Sequence, residues 1–600
     1  MGVETWNDGY VNVWEPTCDR KVHLTGWGNH TVRSSNKAVT YLTIWDGAGN
    51  DDISVGALNT TIYASSGSDR YYIESGINAT IYNGSGYKDV GSNYLAGSLN
   101  IYESNWWSQR NIHVSALNSY VQSGYGNDTI NVFGLASAIV EDAGGNNTIS
   151  LCGAGYLKAQ TGNGNDVVHL YTGWNTDLIK VGGSLYVYAH GYRGGNTSIR
   201  SRDGHWNSSL DYFGYYDASA WSNSVDFRVN KYADINAYGL SSNYINLWGS
   251  DGGSRMSISS PGTNEIWATR GNDVINVWQG GRWTEVNLDH GNDELRIHSG
   301  ISAKVTMGIG NKQIVTNYLA GNLNIYEWGW SGNRYMDVRA GNVYVQSGYG
   351  NDTITVFGLW AAKVEDAGGN NNVDARGAGV DVRTGDGNDT IYVSGVAAKV
   401  ASGNGDDAIT LDGLDARLND GGATGNKRVT ARAGGAYIYT GSGNDTVDFY
   451  GLGSRIETGA GSDTVTVRGV GAYVVTGDGD DSIDIRVAGA KVYAGNGNDK
   501  VWSLGVAGQE IDLGDGDDAL EAYGGANIIY AGRNGKKTIK VGGGLNVVQV
   551  GHGDSSVEAY GGMSVVLTGQ GNNVVNAYGG GNFLINGNGR YTANAYAGMY

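Results

Sequence analysis

Cysteine, proline and basic charge are all scarce in this chain of 600 residues. It has two prolines and two cysteines, Cys18 and Cys152, which excludes a disulfide-stapled scaffold. The sequence around Cys152 is apolar and strand-like, so we expect that cysteine to be a small core residue. The net charge is −19, and no basic stripe of the kind that binds nucleic acid is visible. No apolar run is long enough to span a membrane, and the N-terminus lacks the charged and apolar regions of a signal peptide.

Glycine and a repeated turn dominate what is present. There are 100 glycines, and 40% of the residues are hydrophobic, which is not the composition of a disordered linker. The string Thr440-Gly-Ser-Gly-Asn-Asp-Thr-Val-Asp returns every 18 residues, starting again at Thr458, Thr476 and Ala494. A fixed period of this length indicates that each unit is one coil of a stacked solenoid.

Two short β stretches alternate within each coil. Val447, Val465, Ile483 and Val501 are predicted to form one interior ladder, and Ile456, Val474 and Val492 the facing one. β-Branched residues stacked in this way are typical of parallel strands that pair coil on coil. The sequence therefore predicts an all-β fold, a right-handed parallel β-solenoid (β-roll or β-helix) of roughly 30 coils.

The regularity of the repeat varies along the chain. Residues 1–170 are predicted to be solenoid coils rich in aromatics, and residues 263–600 to be regular coils. Residues 171–262 are rich in Tyr, Ser and Asn, and they are either degenerate coils or an inserted lobe. We expect one continuous body, because a repeat architecture is one-dimensional.

The repeated turn has the chemistry of a calcium site. Its glycines permit backbone angles that point carbonyl oxygens at one spot, and its aspartate supplies negative charge. Oxygen ligands suit a hard cation such as Ca²⁺, whereas zinc and copper are usually coordinated by His or Cys. The structural alternative is that each aspartate only caps its turn by hydrogen bonding. Many turns in register favour calcium.

These turns resemble the glycine- and aspartate-rich nonapeptide of the RTX (hemolysin-type) calcium-binding repeats. Thr or Ser often replaces the first glycine here, and the second half-coil, as in Gly451-Leu-Gly-Ser, keeps glycine but lacks the aspartate. The resemblance therefore implies a one-sided variant of the β-roll with a coil of 18–20 residues. In that family an ion lies between successive turns, so neighbouring coils must both keep the motif.

The resemblance implies a defined set of metal ligands. The matching carboxylates are those of Asp51, Asp69, Asp128, Asp166, Asp273, Asp293, Asp352, Asp389, Asp407, Asp445, Asp463, Asp481, Asp499 and Asp518. The series from Asp445 to Asp518 is the best unbroken one, whereas an isolated position such as Asp352 is expected to bind weakly or not at all.

Some turns carry another residue at the aspartate position. It is lysine in Lys312, Lys427 and Lys537, and we hypothesise that each ammonium neutralises neighbouring carboxylates without metal. It is asparagine in Asn147, Asn371 and Asn573, which keeps the oxygen and drops the charge.

No catalytic motif stands out, and we expect a protein that is not an enzyme. His-Glu-x-x-His, Gly-x-Ser-x-Gly and Walker-type phosphate loops are missing from the sequence. Aromatics are more suggestive, with 17 Trp and 40 Tyr. A block of coils is duplicated along the chain, since Asn93-Tyr-Leu-Ala-Gly matches Asn317-Tyr-Leu-Ala-Gly and Val121-Gln-Ser-Gly-Tyr matches Val345-Gln-Ser-Gly-Tyr. Trp106-Trp107 and Trp328-Gly-Trp330 lie in these duplicated coils, where they either pack against neighbouring coils or form a glycan-binding patch.

The expected function is structural and extracellular. RTX resemblance implies type I secretion to the cell surface or the extracellular medium, where calcium is abundant. The chain begins and ends within recognisable repeat, so either it is a segment of a longer protein or its ends stack head to tail into a filament or surface layer. We expect such a homo-polymer. The alternative is a surface adhesin that binds glycans through its Trp- and Tyr-rich half.

Overall fold

The computed structural model describes the chain except residues 1, 7–8, 14–18, 35–38, 104–106, 172–174, 193–195, 202–206, 215–224, 229–231, 239–241, 248–251, 328–331 and 597–600. The described residues contain strands and turns and no helix, and so no helix there is long and apolar enough to cross a membrane. All strand pairings among the described residues are parallel, and the coils form a β-solenoid of about 27 turns with a spacing of ~19 residues. The predicted fold class is confirmed, with slightly fewer turns than expected.

The chain divides into two compact units, Met1–Ala320 and Gly321–Tyr600. The strands of the first unit are short in its first coils, and they are Gly2–Trp6, Gly9–Asn12, Arg20–Leu24, His30–Ser34, Tyr41–Trp45, Asp52–Gly56, Asn59–Tyr63, Asp69–Ser75, Asn78–Asn83, Lys88–Glu103, Arg110–Ser123, Thr129–Asp142, Thr148–Cys152, Tyr156–Tyr171, Asn175–Tyr192, Asn196–Ser201, Asn207–Gly214, Val225–Arg228, Tyr232–Tyr238, Ser242–Asn246, Ser254–Ser259, Thr263–Trp267, Val274–Gln279, Trp283–Leu288, Asp293–Ile297, Ser302–Met307 and Lys312–Thr316. Strand Leu319–Glu327 crosses the boundary between the units.

Strands of the second unit are longer, because most of them continue through the glycine corner between the two half-coils. They are Arg334–Tyr349, Thr353–Gly368, Asn372–Arg383, Thr390–Ala401, Asp407–Asn419, Lys427–Tyr439, Thr446–Glu457, Thr464–Asp478, Ser482–Asn496, Lys500–Asp512, Asp518–Ala531, Lys537–Val550, Ser555–Thr568, Asn572–Asn586 and Arg590–Tyr596.

The predicted interior ladders are present. Val447 pairs in register with Val465, which pairs with Ile483, and all are buried. On the facing side Ile456 pairs with Val474, and both are fully buried. Because side chains alternate across a strand, the residues between these positions face outward and the aliphatic ladders form the core.

Parallel pairing continues through the described part of residues 171–262. Asn175–Tyr192 pairs with Asn196–Ser201 and with Asn207–Gly214, and Asn207–Gly214 pairs in turn with Tyr232–Tyr238. In this stretch the described strands thus follow the pairing rule of the regular coils.

The expectation for Cys152 is wrong. Ile149 and Leu151 of the same strand are fully buried, and Cys152 is only half-buried. Alternation explains the error, because a residue that directly follows a core-facing leucine points to the other side of the sheet. Cys18 lies outside the described residues.

Candidate metal centre

The glycines of the repeated turn are required by backbone geometry. Gly461 has φ +135°, and a Cβ atom there would lie 2.0 Å from the carbonyl oxygen of Gly443 in the preceding coil. Gly479 repeats this arrangement, with φ +141° and 2.0 Å to the oxygen of Gly461. Only glycine tolerates both this conformation and this approach, so successive turns stack with their backbones in direct contact.

The carboxylates of these turns form an inner ladder along the stack. Asp463 Oδ1 accepts a hydrogen bond from the backbone N–H of Asp445 at 2.8 Å, and Asp481 Oδ1 accepts one from Asp463 at 2.8 Å. Asp499 continues the ladder with the N–H of Asp481 at 2.9 Å. One oxygen of each aspartate therefore fastens its coil to the preceding one, as the capping alternative requires.

An outer ladder runs in the opposite direction. The residue before each aspartate is usually Asn or Asp, and its side-chain oxygen accepts from the backbone of the following coil. Asn426 Oδ1 accepts from the N–H of Asn444 at 2.8 Å, and Asn444 Oδ1 accepts from the N–H of Ser462 at 2.8 Å. The two ladders together account for the Asn-Asp pair that recurs in the sequence.

All the predicted ligands lie in the interior of the turns. Their side chains are buried, with residue exposures of 0–3% for Asp51, Asp69, Asp128, Asp166, Asp273, Asp293, Asp352, Asp389, Asp407, Asp445, Asp463, Asp481, Asp499 and Asp518. A buried carboxylate is costly unless a cation, a proton or hydrogen-bond donors compensate its charge. The second oxygen of each aspartate therefore decides the chemistry of the turn.

The partner of that second oxygen depends on the residue at the aspartate position of the next coil. Where that residue is also aspartate, Oδ2 is buried in most cases and has no hydrogen-bond donor within the described structure: Asp51, Asp389, Asp463, Asp481 and Asp499. The Thr458 hydroxyl is close enough to lower the pKa of Asp463, but it donates its hydrogen bond to the carbonyl oxygen of Thr476 at 3.2 Å. Asp445 and Asp273 differ, because hydroxyls of Thr440 and Thr269 donate to them.

Where the next coil carries lysine, its ammonium occupies this place. Lys427 Nζ lies 2.7 Å from Asp407 Oδ2, 2.6 Å from the carbonyl oxygen of Gly403 and 2.7 Å from that of Gly405. Lys312 makes the equivalent contacts, at 2.6 Å to Asp293 Oδ2 and 2.7 Å to the oxygen of Gly291. The turn thus directs two glycine carbonyls and one carboxylate at a single cation, in agreement with the lysine hypothesis.

Every consecutive series of aspartate turns ends on such a lysine. The sequence comparison alone gave three of these lysines, and the structure adds a fourth. Asp51 and Asp69 are followed by Lys88, Asp273 and Asp293 by Lys312, Asp389 and Asp407 by Lys427, and the series from Asp445 to Asp518 by Lys537. The last carboxylate of each series is therefore neutralised by the chain itself.

Sequence reasoning also missed a buried arginine at the same position. Arg110 lies one coil after Lys88, and its guanidinium donates to the carbonyl oxygen of Gly86 at 2.5 Å and forms an ion pair with Glu103. Counting forward from Asp69 in steps of 19 and 22 residues reaches Lys88 and Arg110. The longer step and the missing Gly-x-Gly before Arg110 hid the register.

Asparagine turns direct their amide to another carboxylate, so that Oδ2 of the preceding Asp128 and Asp352 is buried without a donor. Asn147 Oδ1 accepts from the N–H of Asp128 at 2.7 Å, which preserves the inner ladder, and its Nδ2 donates to Asp142 Oδ2 at 2.7 Å. Asn371 and Asp366 repeat this pair at 2.8 Å. Asp142 and Asp366 stand five residues before the asparagine, where many other turns carry Thr or Ser.

The opposite corner of the second unit has different chemistry. It exposes aliphatic side chains such as Leu414, Leu452 and Val470, which are 67%, 66% and 52% exposed. The described corners carry no ladder of carboxylates like that of the aspartate turns. The cation-directed geometry is one-sided, as the sequence indicates.

Burial raises the pKa of the unpartnered carboxylates. The pKa of Asp463 and that of Asp499 rise to about 7, and the pKa of Asp389 rises to about 6. In each case loss of solvation is the largest cause. Without a metal ion these carboxyl groups keep their protons to a higher pH than exposed aspartates do, so cation binding would compete with protonation.

We predict that the metal-free protein is more stable in weak acid than at pH 8. A carboxyl whose folded pKa lies above its unfolded value contributes stability below the unfolded pKa and loses it as pH rises through the folded pKa. For Asp463 and Asp499 that window runs from about 4 to about 7. Thermal unfolding in chelator from pH 4 to pH 8 should show a falling midpoint, and a rising midpoint across this window would contradict the account.

The donor set fits calcium. Two glycine carbonyls and aspartate oxygens from adjacent coils are oxygen ligands of the kind that a hard cation takes, and no histidine or cysteine thiol is needed. Lysine ammoniums in the equivalent turns mark the position where a cation would be held. No family model matches the chain, and no curated protein matches it significantly.

A stack of aromatic rings follows the outer face of the first unit. His23, Trp45, Tyr63, Tyr82 and Tyr102 lie on successive coils with ring centroids 4.1–5.5 Å apart. Each ring covers the face of its neighbour, so the stack presents ring edges to solvent and stabilises coil-on-coil packing. Trp106, Trp328 and Trp330 lie outside the described residues.

Proposed function

We propose that this chain is a secreted, calcium-binding structural protein of the RTX type, in which calcium ions fasten adjacent coils of a β-solenoid. The observation that carries the proposal is that the second aspartate oxygen meets an ammonium in some turns and has no donor in others. A lysine ammonium contacts Asp407 Oδ2. By contrast, Asp463 Oδ2 and Asp481 Oδ2 are buried without a donor, and each lies in an aspartate step, that is, a pair of adjacent turns that both carry aspartate. One divalent ion per such step would replace the missing charge.

The residues that would hold calcium are the aspartates of adjacent turns and the glycine carbonyls between them. Bound calcium would supply ionic cross-links between coils, and the chain itself supplies the register and the close approach of the backbones. Asp Oδ1 atoms hold the register through the inner ladder, and the glycines bring the backbones together. The role is structural, not catalytic, because these carboxylates are already committed to coil-to-coil contacts.

Secretion and assembly complete the proposal. A structure that needs calcium would form at the cell surface or in the extracellular medium, where calcium is abundant. The resemblance of the turns to RTX repeats implies type I secretion. A solenoid coil whose parallel strands lack a neighbour exposes unpaired strand edges, and such edges can pair with a further copy of the chain. We therefore propose head-to-tail stacking into a filament or surface layer.

Electron microscopy of the full chain tests assembly. In calcium at about 1 mM, where extracellular modules bind the ion, we expect filaments or layers, and after chelation discrete particles. Magnesium is the control, because it prefers smaller octahedral sites and keeps its waters, and it should not replace calcium. Discrete particles in calcium and in chelator alike would refute calcium-driven assembly.

A glycan-binding adhesin is the second candidate. Trp107 is 84% exposed and lies over Tyr125 with ring centroids 5.7 Å apart, a flat surface on which a sugar ring can stack. A glycan array with the intact protein and with the Trp107→Ala variant distinguishes the candidates. Loss of a specific signal in the variant would support the adhesin.

A further inference from the structure

The third and fourth coils of the first unit hold a carboxylate cluster that differs from every other described turn. Asp46, Asp51 and Asp69 each offer one oxygen, and these three atoms lie within 4.8 Å of one another. The residues are 8%, 2% and 1% exposed. Asp46 stands five residues before Asp51, where Thr440 stands before Asp445 in the regular coils. The cluster therefore contains one more carboxylate than a regular step.

Two of its oxygens have no donor. Asp46 Oδ1 and Asp51 Oδ2 are buried and make no hydrogen bond within the described structure. The remaining oxygens are engaged: Asp51 Oδ1 accepts from the backbone N–H of His30 at 2.5 Å and lies 2.8 Å from His30 Nδ1, and Asp69 Oδ2 forms an ion pair with Lys88. One ammonium and one imidazole thus serve three carboxylates, and Asp46 Oδ1 and Asp51 Oδ2 remain without a donor.

A buried tyrosine is directed at the same cluster. Tyr71 stands at a core position that is Ile53 in the preceding coil and Val90 in the following one, and it is fully buried. Its hydroxyl lies 2.5 Å from Asp46 Oδ2 and 3.1 Å from Asp69 Oδ2. A polar group at this aliphatic position has no packing advantage, and it adds an oxygen to the cluster.

The duplicated coils show what a compensated version looks like. Asp142 and Asp366 stand at the position of Asp46, and each accepts a hydrogen bond from an asparagine Nδ2 five residues later. In the Asp46 cluster that asparagine is replaced by Asp51. The donor is lost and a second acceptor stands in its place, which is the exchange expected where a cation replaces an amide.

We propose that Asp46, Asp51 and Asp69, with the Tyr71 hydroxyl, form a distinct hard-cation site of the calcium class, separate in composition from the repeated turn sites. Oxygens that surround one calcium ion at 2.3–2.6 Å are at most about 5 Å apart, and the measured spread fits this limit. The inference rests on the proposed function in that Asp51 and Asp69 belong to both. It adds the third carboxylate and makes this the tightest site of the first unit.

Terbium(III) alone is the probe, because it takes the same oxygen ligands as calcium and a nearby phenol sensitises its emission. The full chain should show a high-affinity phase of tyrosine-sensitised emission that calcium displaces. In Asp51→Asn, which restores the Asp/Asn pair of the duplicated coils, that phase should weaken at least tenfold while the metal-free melting temperature rises. Asp46→Thr should also weaken this phase, and this variant removes the third carboxylate without introducing an amide donor.

The controls separate this inference from the proposed function. Asp52→Asn removes the same charge from the neighbouring outward-facing residue and should leave the phase intact. Tyr71→Phe should lower the sensitised emission. Asp463→Asn should remove only ions of the regular series. Loss of metal in Asp463→Asn with an unchanged first phase in Asp51→Asn would overturn the inference and leave the proposed function standing. A weakened first phase in Asp51→Asn with no loss of metal in Asp463→Asn would support the inference and contradict calcium binding in the regular series.

Discussion

Replacing Lys427 by aspartate should raise the number of bound calcium ions by two. Lys427 separates Asp407 from Asp445, and its ammonium neutralises the first of them at 2.7 Å. Its backbone N–H already donates to Asp445 Oδ1 at 2.7 Å, so the inner ladder does not depend on its side chain. With a carboxylate there, two new aspartate steps join the neighbouring series into one. Native mass spectrometry or equilibrium dialysis counts the ions.

The metal-free Lys427→Asp variant should be strongly destabilised and should recover in calcium. Removing one partner of a buried ion pair costs about 3–5 kcal/mol, and the added carboxylate worsens the repulsion. Lys427→Met is the matched control, since it removes the ammonium and adds no ligand. It should lose stability in chelator without gaining two ions. An unchanged calcium count in Lys427→Asp would refute the role assigned to the lysines.

The second large effect concerns the turn glycines. Gly461→Ala should cost more than about 2 kcal/mol in local stability, because φ is +135° and the new Cβ would meet the carbonyl oxygen of Gly443 at 2.0 Å. Relief of this contact would require the two stacked backbones to move apart. Hydrogen exchange measures the effect best, since a long repeat array unfolds by segments and its global melting is not two-state.

Gly453→Ala is the control for that experiment. Gly453 lies in the opposite corner of the preceding coil, and a Cβ atom there would meet nothing within 4 Å. Alanine in open space restricts the unfolded chain, so the variant should be neutral or slightly stabilising. Fast exchange confined to the coils next to residue 461 in Gly461→Ala, with none in Gly453→Ala, is the expected pattern. Equal protection in both variants would show that close backbone stacking does not govern stability.

Much of the fold was predictable because the repeat itself encodes register. Identical spacing places Val447 over Val465, and β-branched residues at those positions leave parallel pairing as the solution that buries them. The position of Cys152 was mispredicted because apolar surroundings were given more weight than strand alternation. Where the coil length changes, as between Lys88 and Arg110, the period no longer identifies equivalent residues.

The candidate site was only half predictable. Sequence register brings Asp463 and Asp481 together, but it does not distinguish the two oxygens of one carboxylate. Their different fates, one bonded to the backbone and one without a donor, appear only in three dimensions. The cluster around Asp46 was hidden for another reason, since Tyr71 occupies a core position that a sequence pattern assigns to packing.

A crystal structure of the calcium-loaded protein, with anomalous difference maps, tests the central claim most directly. Peaks are predicted beside the Oδ2 atoms of Asp463, Asp481 and Asp499, and none beside the Oδ2 atoms of Asp407 and Asp518, where lysine ammoniums stand. Peaks spread equally over lysine and aspartate steps, or no peaks in the series from Asp445 to Asp518 at millimolar calcium, would contradict the claim.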